Sequence, residues 1–374
     1  MLSWLEIDAQ RLRNNIDAFR TVTTHGTSLM VVVKANAYGH GLETVAPIAA
    51  ERADWLGVNC VDEALSISRL GIQKPVAILG HTSLDEVPNV VRNGYRQVVY
   101  RMDIAKALSD SAVKLGTTAK IHLKIETGTN RQGIPLTQLP SFIDEITKLP
   151  GLDIEGAYTH FANIEDTLDP SFAESQVRRF REALGMLELA GIRPAQIHAS
   201  ATAGSLLYAE MDFTMVRVGI GAYGIWPSRE TQVAARERGR LLSLSPVLTW
   251  KTRVAQVKDV SAGEYVGYGL TYRAGRPMKL AVLPVGYYDG YDRKLSNGGR
   301  ALIRGQFVHV VGRVAMNMTM LDVTDVGAEL DEEVVLIGRQ GNLEIKVEEL
   351  AEKIGTISYE VVARINPLIP RTKH

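Results

Sequence analysis

A lysine at the end of an apolar run is the residue best suited to covalent chemistry in this sequence. Lys34 follows four apolar residues in MVVVKANAYGHG, so a strand ending there would hold its amine in a partly dry pocket. Desolvation disfavours the charged ammonium and leaves an amine that attacks a carbonyl carbon, which is the chemistry of a Schiff base. The following loop, from Tyr38 to Gly41, leads into a predicted helix and could bring amides and a hydroxyl to a phosphate.

Other polar residues follow apolar runs in the same way. Lys124 lies near the end of one run, and His160 and Arg217 lie at or near the ends of two later ones. Glu126 and Arg131 lie at or just after the run that contains Lys124. If these runs are parallel barrel strands, the loops that follow them open onto one face. The pattern therefore predicts a single site at the carboxyl ends of the strands.

Strand-like and helix-like segments alternate eight times between Ser28 and Gly224. Apolar or β-branched runs predict the strands, and apolar residues at helical spacing predict the helices, as at 41–52, 62–70, 102–115, 137–149 and 170–190. The last of these helices carries an apolar stripe of Phe172, Val177, Phe180, Leu184 and Leu187. The runs are LMVVVK (29–34), WLGVN (55–59), VAILG (76–80), QVVY (97–100), KIHLKIE (120–126), IEGAYTH (154–160), QIHAS (196–200) and MVRVG (215–219). Eight units over roughly 200 residues favour a (β/α)8 TIM-type barrel over an open doubly wound sheet.

The pattern changes after about Arg240 to β-rich segments separated by turn-forming residues. These segments are SPVLTWKTRVAQVKDV, MKLAVLPVGYY, RALIRGQFVHVVG and EVVLIG, with one clear helix near 346–354. The predicted fold class is therefore α/β, with the barrel followed by a mainly antiparallel β domain. We place the barrel domain at residues 1–236 and the β domain at 237–374, and the first residues could pair with the β domain.

Composition indicates a soluble protein that acts on a small molecule. Lys and Arg together number 42, and so do Asp and Glu, so no broad charge attracts nucleic acid or anionic lipid. Cys60 is the only cysteine, which excludes an intramolecular disulfide and argues against a cysteine metal site. The start of the chain soon becomes polar, and no run reaches about 18 apolar residues. We expect a cytoplasmic protein with no metal, nucleic-acid or membrane partner.

The segment VVVKANAYGHG closely resembles the lysine segment of the alanine racemases, which are fold-type III enzymes that depend on pyridoxal 5′-phosphate (PLP). Similar motifs follow over nearly the whole chain: ETGTNRQG (126–133), YTHFA (158–162), HASATA (198–203), MVRVGIGAYG (215–224), GYGLTY (267–272), PVGYYDGY (284–291), GRVAMNM (312–318) and GTISYEV (355–361). The resemblance implies PLP as cofactor, racemisation of alanine for peptidoglycan synthesis, and a head-to-tail homodimer with composite active sites.

The resemblance assigns the two acid/base groups of racemisation to Lys34 and Tyr268. Lys34 looks like the lysine that forms a Schiff base with the cofactor. Tyr268, in GYGLTY, resembles the tyrosine that the partner chain's β domain brings to the opposite face of the cofactor. One group removes the proton from Cα on one face while the other returns a proton on the opposite face.

Four barrel residues resemble further family contacts. Arg217 looks like the arginine that donates to the pyridine nitrogen, and because arginine keeps its proton, the cofactor is a weaker electron sink and transamination is disfavoured. Arg131 resembles the arginine that contacts the cofactor's phenolic oxygen and the substrate carboxylate. His160 resembles the imidazole beside the cofactor ring. Lys124 matches a lysine that is often carbamylated and could then pair with Arg131.

Other positions match the family's phosphate cradle and substrate contacts. Hydroxyls and backbone amides would bind the phosphate dianion, and they belong to Tyr38, Thr202, Gly219, Ile220 and Tyr359. Met316, through its backbone amide, and Tyr287 match positions of substrate binding and of the entry corridor. Arg293 stands where the family has an arginine near the gate.

The sequence departs from the family pattern beside these substrate positions. Ala315, Met316 and Asn317 stand where Cys-Met-Asp is common, so a carboxylate near the entrance is missing. A racemase of serine or of a longer amino acid therefore stays open as an alternative. Tyr359 favours alanine, because a tyrosine there leaves little room beside a methyl group.

Two more distant alternatives have less support in the sequence. A related PLP decarboxylase would carry a catalytic cysteine in the β domain, whereas Cys60 lies in the barrel. A non-catalytic PLP-binding protein would usually consist of the barrel alone. The β domain with Tyr268 supplies what a second base requires.

Overall fold

The computed structural model describes residues 1–208, 211–240 and 242–374, and the chain divides into two compact units. One, here called the barrel unit, comprises Leu12–Ala35 and Ala46–Ser245. The other, called the β unit, comprises Met1–Arg11, Asn36–Val45 and Pro246–His374. Each unit therefore gathers segments that are distant in the sequence.

All eight predicted strands are present in the barrel unit, and their pairing is parallel. They are Ser28–Val32, Trp55–Val58, Val76–Ile78, Arg96–Val99, Ala119–Glu126, Leu152–Tyr158, Gln196–His198 and Met215–Val218. Each pairs with the next up to the seventh, and the eighth pairs with the first. The seventh and eighth meet where Arg217 N donates to Ser200 O (3.1 Å), so the sheet curls into a nearly closed barrel. The predicted fold class is confirmed.

Each of the five helices predicted from apolar spacing is present, and further helical segments accompany them. Together they are Ala9–Val22, Lys34–Tyr38, Leu42–Arg52, Val61–Arg69, Val87–Arg92, Met102–Leu115, Leu139–Ile146, Ser171–Leu189, Thr202–Leu207 and Arg229–Glu237. Val177, Phe180 and Leu187 are buried on one stripe of Ser171–Leu189. Phe172, predicted on that stripe, is exposed because it lies in the first turn. Among the described residues, no helix has the length and apolarity needed to cross a membrane.

A cluster of apolar side chains fills part of the barrel interior. Met30, Trp55, Ala77 and Met215 form one buried cluster, and two of them begin their strands. Side chains alternate between the two faces of a strand, so Arg217 shares the inward face with Met215 and lies further towards the carboxyl end. The chain therefore places Arg217 beyond this cluster, at the end of the barrel where the loops follow the strands.

The β unit is built on a mostly antiparallel sheet, as predicted. Its strands are Ser3–Ile7, Leu248–Arg253, Gln256–Val260, Met278–Leu283, Arg300–Ile303, Gln306–Val310, Thr319–Asp322, Glu333–Gln340, Leu343–Ile345 and Arg371–Lys373. Ser3–Ile7 pairs antiparallel with Leu248–Arg253 and parallel with Arg371–Lys373. The helix near 346–354 is Val347–Ile354, and a second helix, Ser358–Ala363, follows it within the GTISYEV segment.

Candidate active site

Lys34 lies just past the carboxyl end of the first barrel strand, and its side chain is half-buried. Burial lowers the pKa of the Lys34 amine, and the charges of Arg131 and Arg217 lower it further, whereas Glu63 acts to raise it. A lower pKa increases the fraction of neutral amine at neutral pH. The structure therefore gives Lys34 the character of a nucleophile.

The backbone after Lys34 turns in a left-handed helical conformation, in which residues 35–38 all have a φ of 53°. Each non-glycine residue in this conformation costs roughly 1–2 kcal/mol, so contacts around the turn must hold it. Glu63 provides one, because its carboxylate accepts from the backbone N–H groups of Ala35 (2.6 Å) and Asn59 (2.7 Å). The residue that follows Lys34 is thereby tied to the barrel unit.

Arg217 lies on the last barrel strand, and only 4 % of it is exposed. Its Nη2 donates to the carbonyl oxygens of Thr159 (3.1 Å) and Ala199 (2.8 Å), and its Nη1 lies 2.6 Å from Nδ1 of His198. The guanidinium carbon also lies 5.2 Å from the centre of the Tyr158 ring. These contacts hold a permanently charged group in one orientation at the ends of neighbouring strands.

His160 follows the sixth strand and meets Arg217 directly. Its Nδ1 lies 3.2 Å from Nη2 of Arg217, and because arginine only donates, this nitrogen is the acceptor. Burial lowers the pKa of His160 well below its usual value, and the charges of Arg217 and Arg131 add to the effect. The structure thus brings together two residues that were predicted at the ends of separate strands.

Lys124 lies within the fifth strand, only 4 % exposed, and its amine donates to Oε1 of Gln132 (3.2 Å). Burial lowers the pKa of Lys124 to about 8, and the charges of Arg131 and Arg217 contribute. The amine of such a lysine is half neutral near pH 8, and the neutral form is the one that attacks electrophiles.

Lys34, Lys124, Arg131 and Arg217 together form a cluster of positive charge, here called the cation cluster. The two arginines lower the pKa of both lysines, which shows that the charges repel one another. Arg131, on the loop after the fifth strand, is exposed in this chain. A concentration of cations of this kind suits an anionic ligand. The described residues include no group of three or more His, Cys, Asp or Glu side chains that could hold a metal ion.

The predicted phosphate residues of the barrel unit lie side by side. Thr202 begins the helix Thr202–Leu207 and is buried. Its Oγ1 accepts from the backbone N–H groups of Gly219 (3.1 Å) and Gly221 (3.4 Å). Ile220, between them, is buried and begins a short 3-10 helix. A hydroxyl and several successive amides are therefore concentrated at one place.

Two further pairs of predicted residues lie close together in the β unit. The rings of Tyr38 and Tyr359 have their centres 6.2 Å apart. Tyr287 begins a short turn, and its N–H donates to Ala315 O (3.0 Å), so the turn lies against the loop that contains Met316. The positions associated with the substrate are therefore neighbours within this unit.

Tyr268 lies in a single turn of the β unit, Tyr268–Leu270, and 74 % of it is exposed. The turn requires glycine at two positions, because Gly267 has a φ of 73° and Gly269 a φ of 71°. Arg293 is also exposed in this unit. Unlike Lys124 and Arg217, Tyr268 thus exposes its phenol to solvent in the single chain.

Two residues that hold the site were absent from the sequence prediction. His198 bonds Arg217, and Glu63 bonds the backbone next to Lys34. The sequence carried a weak signal for His198, because a histidine in an otherwise apolar barrel strand must find a polar partner. It carried none for Glu63, since an acidic residue in the first turn of a helix is an ordinary feature.

Two family matches together span most of the chain. Residues 7–227 match the N-terminal domain of alanine racemase, and residues 247–373 match the C-terminal domain of alanine racemase. The two matches occur in the order in which the barrel and β segments occur in this sequence. The resemblance inferred from the motifs is thereby confirmed.

Curated relatives and solved structures agree with the family matches. The chain is 40 % identical over 371 residues to an alanine racemase of Symbiobacterium thermophilum, covering 99 % of this chain and 96 % of the relative. It is 41 % identical over 365 residues to an alanine racemase of Syntrophobacter fumaroxidans, covering 97 % of this chain and 95 % of the relative.

The chain is also similar to two solved structures. The first is alanine racemase from D-cycloserine-producing Streptomyces lavendulae, with a TM-score of 0.94, 31 % identity and coverage of 100 % and 97 %. The second is alanine racemase from Bacillus anthracis with bound L-Ala-P, with a TM-score of 0.92, 34 % identity and coverage of 100 % and 95 %.

Proposed function

The chain belongs to the alanine racemase family, whose members are isomerases, and we propose that it interconverts L-alanine and D-alanine with PLP as cofactor. The observation that carries the proposal is the cation cluster, in which Lys34 has a lowered pKa near Arg131 and Arg217. A nucleophilic amine is needed to bond an aldehyde, and cations are needed to hold an anion. The barrel unit meets both needs.

The residues present fit PLP, which carries an aldehyde, a phosphate dianion and a pyridine nitrogen. Lys34 would bond the aldehyde carbon, and Arg217 would donate to the pyridine nitrogen. When bound, the cofactor withdraws electrons from the Cα of an attached amino acid and so acidifies its Cα–H bond. The phosphate would be held by hydroxyls and backbone amides of Tyr38, Thr202, Gly219, Ile220 and Tyr359.

Racemisation needs proton transfer on both faces of Cα, and we assign the two groups to Lys34 and Tyr268. The lowered pKa of Lys34 supports a neutral amine that accepts the Cα proton on one face. Tyr268 would exchange the proton on the other face. Its phenol is 74 % exposed on its own chain and is therefore available to a second copy. This exposure supports a homodimer in which each site receives Tyr268 from the partner.

Arg217 would keep the reaction at racemisation. Its guanidinium retains its proton and is fixed by the carbonyl oxygens of Thr159 and Ala199, so it donates to the pyridine nitrogen without protonating it. The returning proton would then go to Cα. Protonation of the cofactor, by contrast, would lead to transamination. His160, bonded to the same guanidinium, would lie beside the cofactor ring.

Lys124 is assigned as a carbamylated lysine. The ammonium first loses a proton, and the neutral amine then attacks the carbon of carbon dioxide, forming an N–C bond as one C=O π bond breaks. A second proton leaves the nitrogen, so a cation becomes an anion. The near-complete burial of Lys124 and its pKa of about 8 support this reaction. The anion would relieve repulsion within the cation cluster and hold Arg131 in place for the cofactor's phenolic oxygen and the substrate carboxylate.

Alanine is the substrate that the β-unit residues favour. Tyr359, whose ring lies 6.2 Å from that of Tyr38, would leave room for little more than a methyl group. Met316 and Tyr287 would contact the substrate and line its entrance, and the Bacillus anthracis relative was solved with L-Ala-P bound. Asn317, which is exposed and carries no charge, is the reason to include serine in the test.

The proposed reaction would supply D-alanine for peptidoglycan synthesis, and we assign it to the cytoplasm. A single cysteine, which cannot form a disulfide within the chain, agrees with a reducing compartment. The balanced charge agrees with a small-molecule substrate.

The proposal is tested with the purified chain loaded with PLP. We expect either enantiomer of alanine to be converted into a racemic mixture, which a D/L-alanine assay measures. L-Serine and L-lysine should be turned over at least about tenfold more slowly, because the pocket discriminates against larger side chains. Absence of racemisation by the loaded protein would overturn the proposed function, and faster turnover of serine would overturn the choice of substrate.

A further inference from the structure

A line of polar groups crosses the interior of the barrel unit from Arg217 to Glu155. Nη1 of Arg217 lies 2.6 Å from Nδ1 of His198, and Nε2 of His198 lies 2.9 Å from Nδ1 of His122. Nε2 of His122 lies 3.5 Å from Oε2 of Glu155. The four residues belong to four different strands, and both histidines are fully buried. We call this line the core relay.

Both ends of the core relay require that each hydrogen bond be donated in the direction from Arg217 towards Glu155. Arg217 can only donate, so Nδ1 of His198 accepts, and the neutral ring carries its proton on Nε2. That proton is donated to Nδ1 of His122, whose own proton then lies on Nε2 and points to Glu155. A carboxylate can only accept, so the far end agrees with the near end. Burial lowers the pKa of both histidines, which supports their neutral forms.

Packing holds the two rings of the core relay in place. The His198 ring stacks on Tyr158, with ring centres 4.7 Å apart and planes 5° from parallel. The His122 ring lies between His198 and Trp55, at 5.1 Å and 5.7 Å between centres. Gly156 leaves the space for His122, because a Cβ there would lie 2.5 Å from the ring. Neither ring can rotate without disturbing its neighbours.

Glu155 is anchored at the opposite end from Lys34. Its carboxylate accepts from Nε of Arg96 (2.9 Å) and Nζ of Lys120 (2.7 Å), which lie at the beginnings of two strands. Burial acts to raise the pKa of Glu155, but hydrogen bonds from His122, Arg96 and Lys120 lower it well below its usual value. The relay therefore ends in a group that stays a carboxylate across the neutral range.

We propose that Glu155 is a positioning residue for Arg217, because its acceptor-only carboxylate fixes the protons of His122 and His198 and keeps the His198 lone pair facing the guanidinium. The effect on racemisation rests on the proposed function, in which Arg217 faces the pyridine nitrogen. A glutamine at 155 could donate to His122 instead. Each ring would then move its proton to Nδ1, and His198 would turn an N–H towards Arg217, where two donors would repel.

The first test locates the protons in the wild-type chain. The protein is labelled with ¹⁵N-histidine, and NMR spectra are recorded near neutral pH before and after loading with PLP. We expect His122 and His198 each to show a protonated Nε2 and an unprotonated Nδ1 in both states. Signals are assigned by their loss in His122→Gln and His198→Asn chains. A proton on Nδ1 of either ring would overturn the proposal.

The second test disrupts the core relay with two different substitutions. Glu155→Gln removes the acceptor, and Gly156→Ala displaces His122 without changing any charge. Both should alter the ¹⁵N signals of His198, raise the fraction of alanine converted to pyruvate, and lower kcat about tenfold with little change in KM. The control is Asp153→Asn on the same strand, which contacts Lys120 (3.8 Å) and is 48 % exposed in its side chain. It should leave all three measurements unchanged.

The outcomes separate positioning from a purely structural role. If Glu155→Gln lowered only the unfolding midpoint and left the His198 signals and product ratio unchanged, the proposal would be overturned. If neither variant folds, the proton positions in the wild-type chain decide. A wild-type chain with the expected protons but no racemase activity would support the relay and overturn the proposed function, so the two failures are distinguishable.

Discussion

The barrel unit buries two of its candidate site residues, whereas the β unit leaves two of its own exposed. In the barrel unit, Arg217 and Lys124 are each 4 % exposed and are held by hydrogen bonds. In the β unit, Tyr268 is 74 % exposed and Tyr287 is 42 % exposed. Burial of Arg217 and Lys124 removes them from water and so changes their chemistry, whereas the β unit leaves Tyr268 and Tyr287 in contact with solvent.

The difference follows from the two architectures. Parallel barrel strands end at one mouth, so the side chains at their ends crowd together and shift one another's pKa. Turns in an antiparallel sheet point into solvent, and the turn at Tyr268 does so. Substitutions of the buried site residues in the barrel unit should therefore change both stability and chemistry, whereas substitution of Tyr268 should change chemistry alone.

The largest effect is expected for Lys34→Ala. Racemisation should fall by more than about 10⁴-fold, because a covalent attachment and a proton-transfer group are lost together. The D/L-alanine assay measures the rate, and the absorption spectrum reports the bound cofactor. Lys106→Ala, which removes an exposed lysine outside the site, should leave both unchanged. An unaltered cofactor band in Lys34→Ala would contradict the assignment.

Tyr268→Phe tests the role of an exposed site residue of the β unit. Racemisation should fall about 10³-fold, because one of the two proton-transfer groups is lost. The unfolding midpoint should not change, since the side chain is exposed. Deuterium isotope effects at Cα should become unequal for the two enantiomers. Tyr265→Phe, at a neighbouring exposed tyrosine, is the control. Equal, wild-type-like isotope effects would count against Tyr268.

Mixing Lys34→Ala chains with Tyr268→Phe chains tests whether the sites are shared between copies. After subunit exchange, activity should return to about a quarter of the wild-type value, because about half of the dimers are mixed and each has one intact site. Native mass spectrometry confirms the exchange. No recovery despite demonstrated exchange would place each site within one chain.

Arg217→Glu should affect stability and chemistry at once. Racemisation should fall about 10²-fold, because the buried guanidinium that donates to the pyridine nitrogen of the cofactor is replaced by an acidic group. The fraction of alanine converted to pyruvate should rise, since a carboxylic acid can protonate the pyridine nitrogen. The unfolding midpoint should also fall, because the carbonyl oxygens of Thr159 and Ala199 lose their donor. An unchanged product ratio would show that Arg217 does not limit transamination.

Lys124→Met tests the effect of burial on stability. The folded-state pKa of Lys124 is about 8, below the usual 10.5, so the unfolded chain binds more protons between these values and stability rises with pH there. In buffer free of carbon dioxide, methionine should add up to about 3 kcal/mol to the free energy of unfolding at pH 7, and less as pH rises through this window. Denaturant unfolding at several pH values measures this. A difference independent of pH, like that expected for exposed Lys106→Met, would contradict the burial effect.

The smallest effect is expected for Thr202→Ala. One hydrogen bond contributes about 1 kcal/mol, so PLP should bind about fivefold more weakly. Thr202→Ser keeps the hydroxyl and should bind PLP as the wild type does. Fluorescence titration with PLP measures both. Equal weakening in the two variants would show that the hydroxyl is not the group that matters.

The order of strands and helices could be predicted from the sequence because their patterns are local. The β-branched residues of MVRVG predict a strand without reference to any distant part of the chain, and Met215–Val218 is a strand. Phe172 belongs to the predicted apolar stripe but is exposed, because spacing alone does not report where a helix extends past the core. The second helix, Ser358–Ala363, is short and lacks a periodic pattern, so it was not predicted.

The site was predicted in part, through motifs rather than contacts. Lys34, Lys124 and Arg217 were placed at strand ends, and the structure brings their charges together. His122 and Glu155 were not singled out, although both lie in runs that were identified as strands. Their importance depends on a contact between strands, and no local pattern in either strand encodes it.

By itself the sequence determined the alternation of elements, the change of pattern after Arg240 and the family, because these are properties of residue order and spacing. Only the tertiary structure decided which polar groups form hydrogen bonds with one another. Arg217 meets a residue 58 positions away at Thr159, and His122 meets one 76 positions away at His198. Closure of the barrel creates these contacts, and burial then makes each proton position depend on its neighbour.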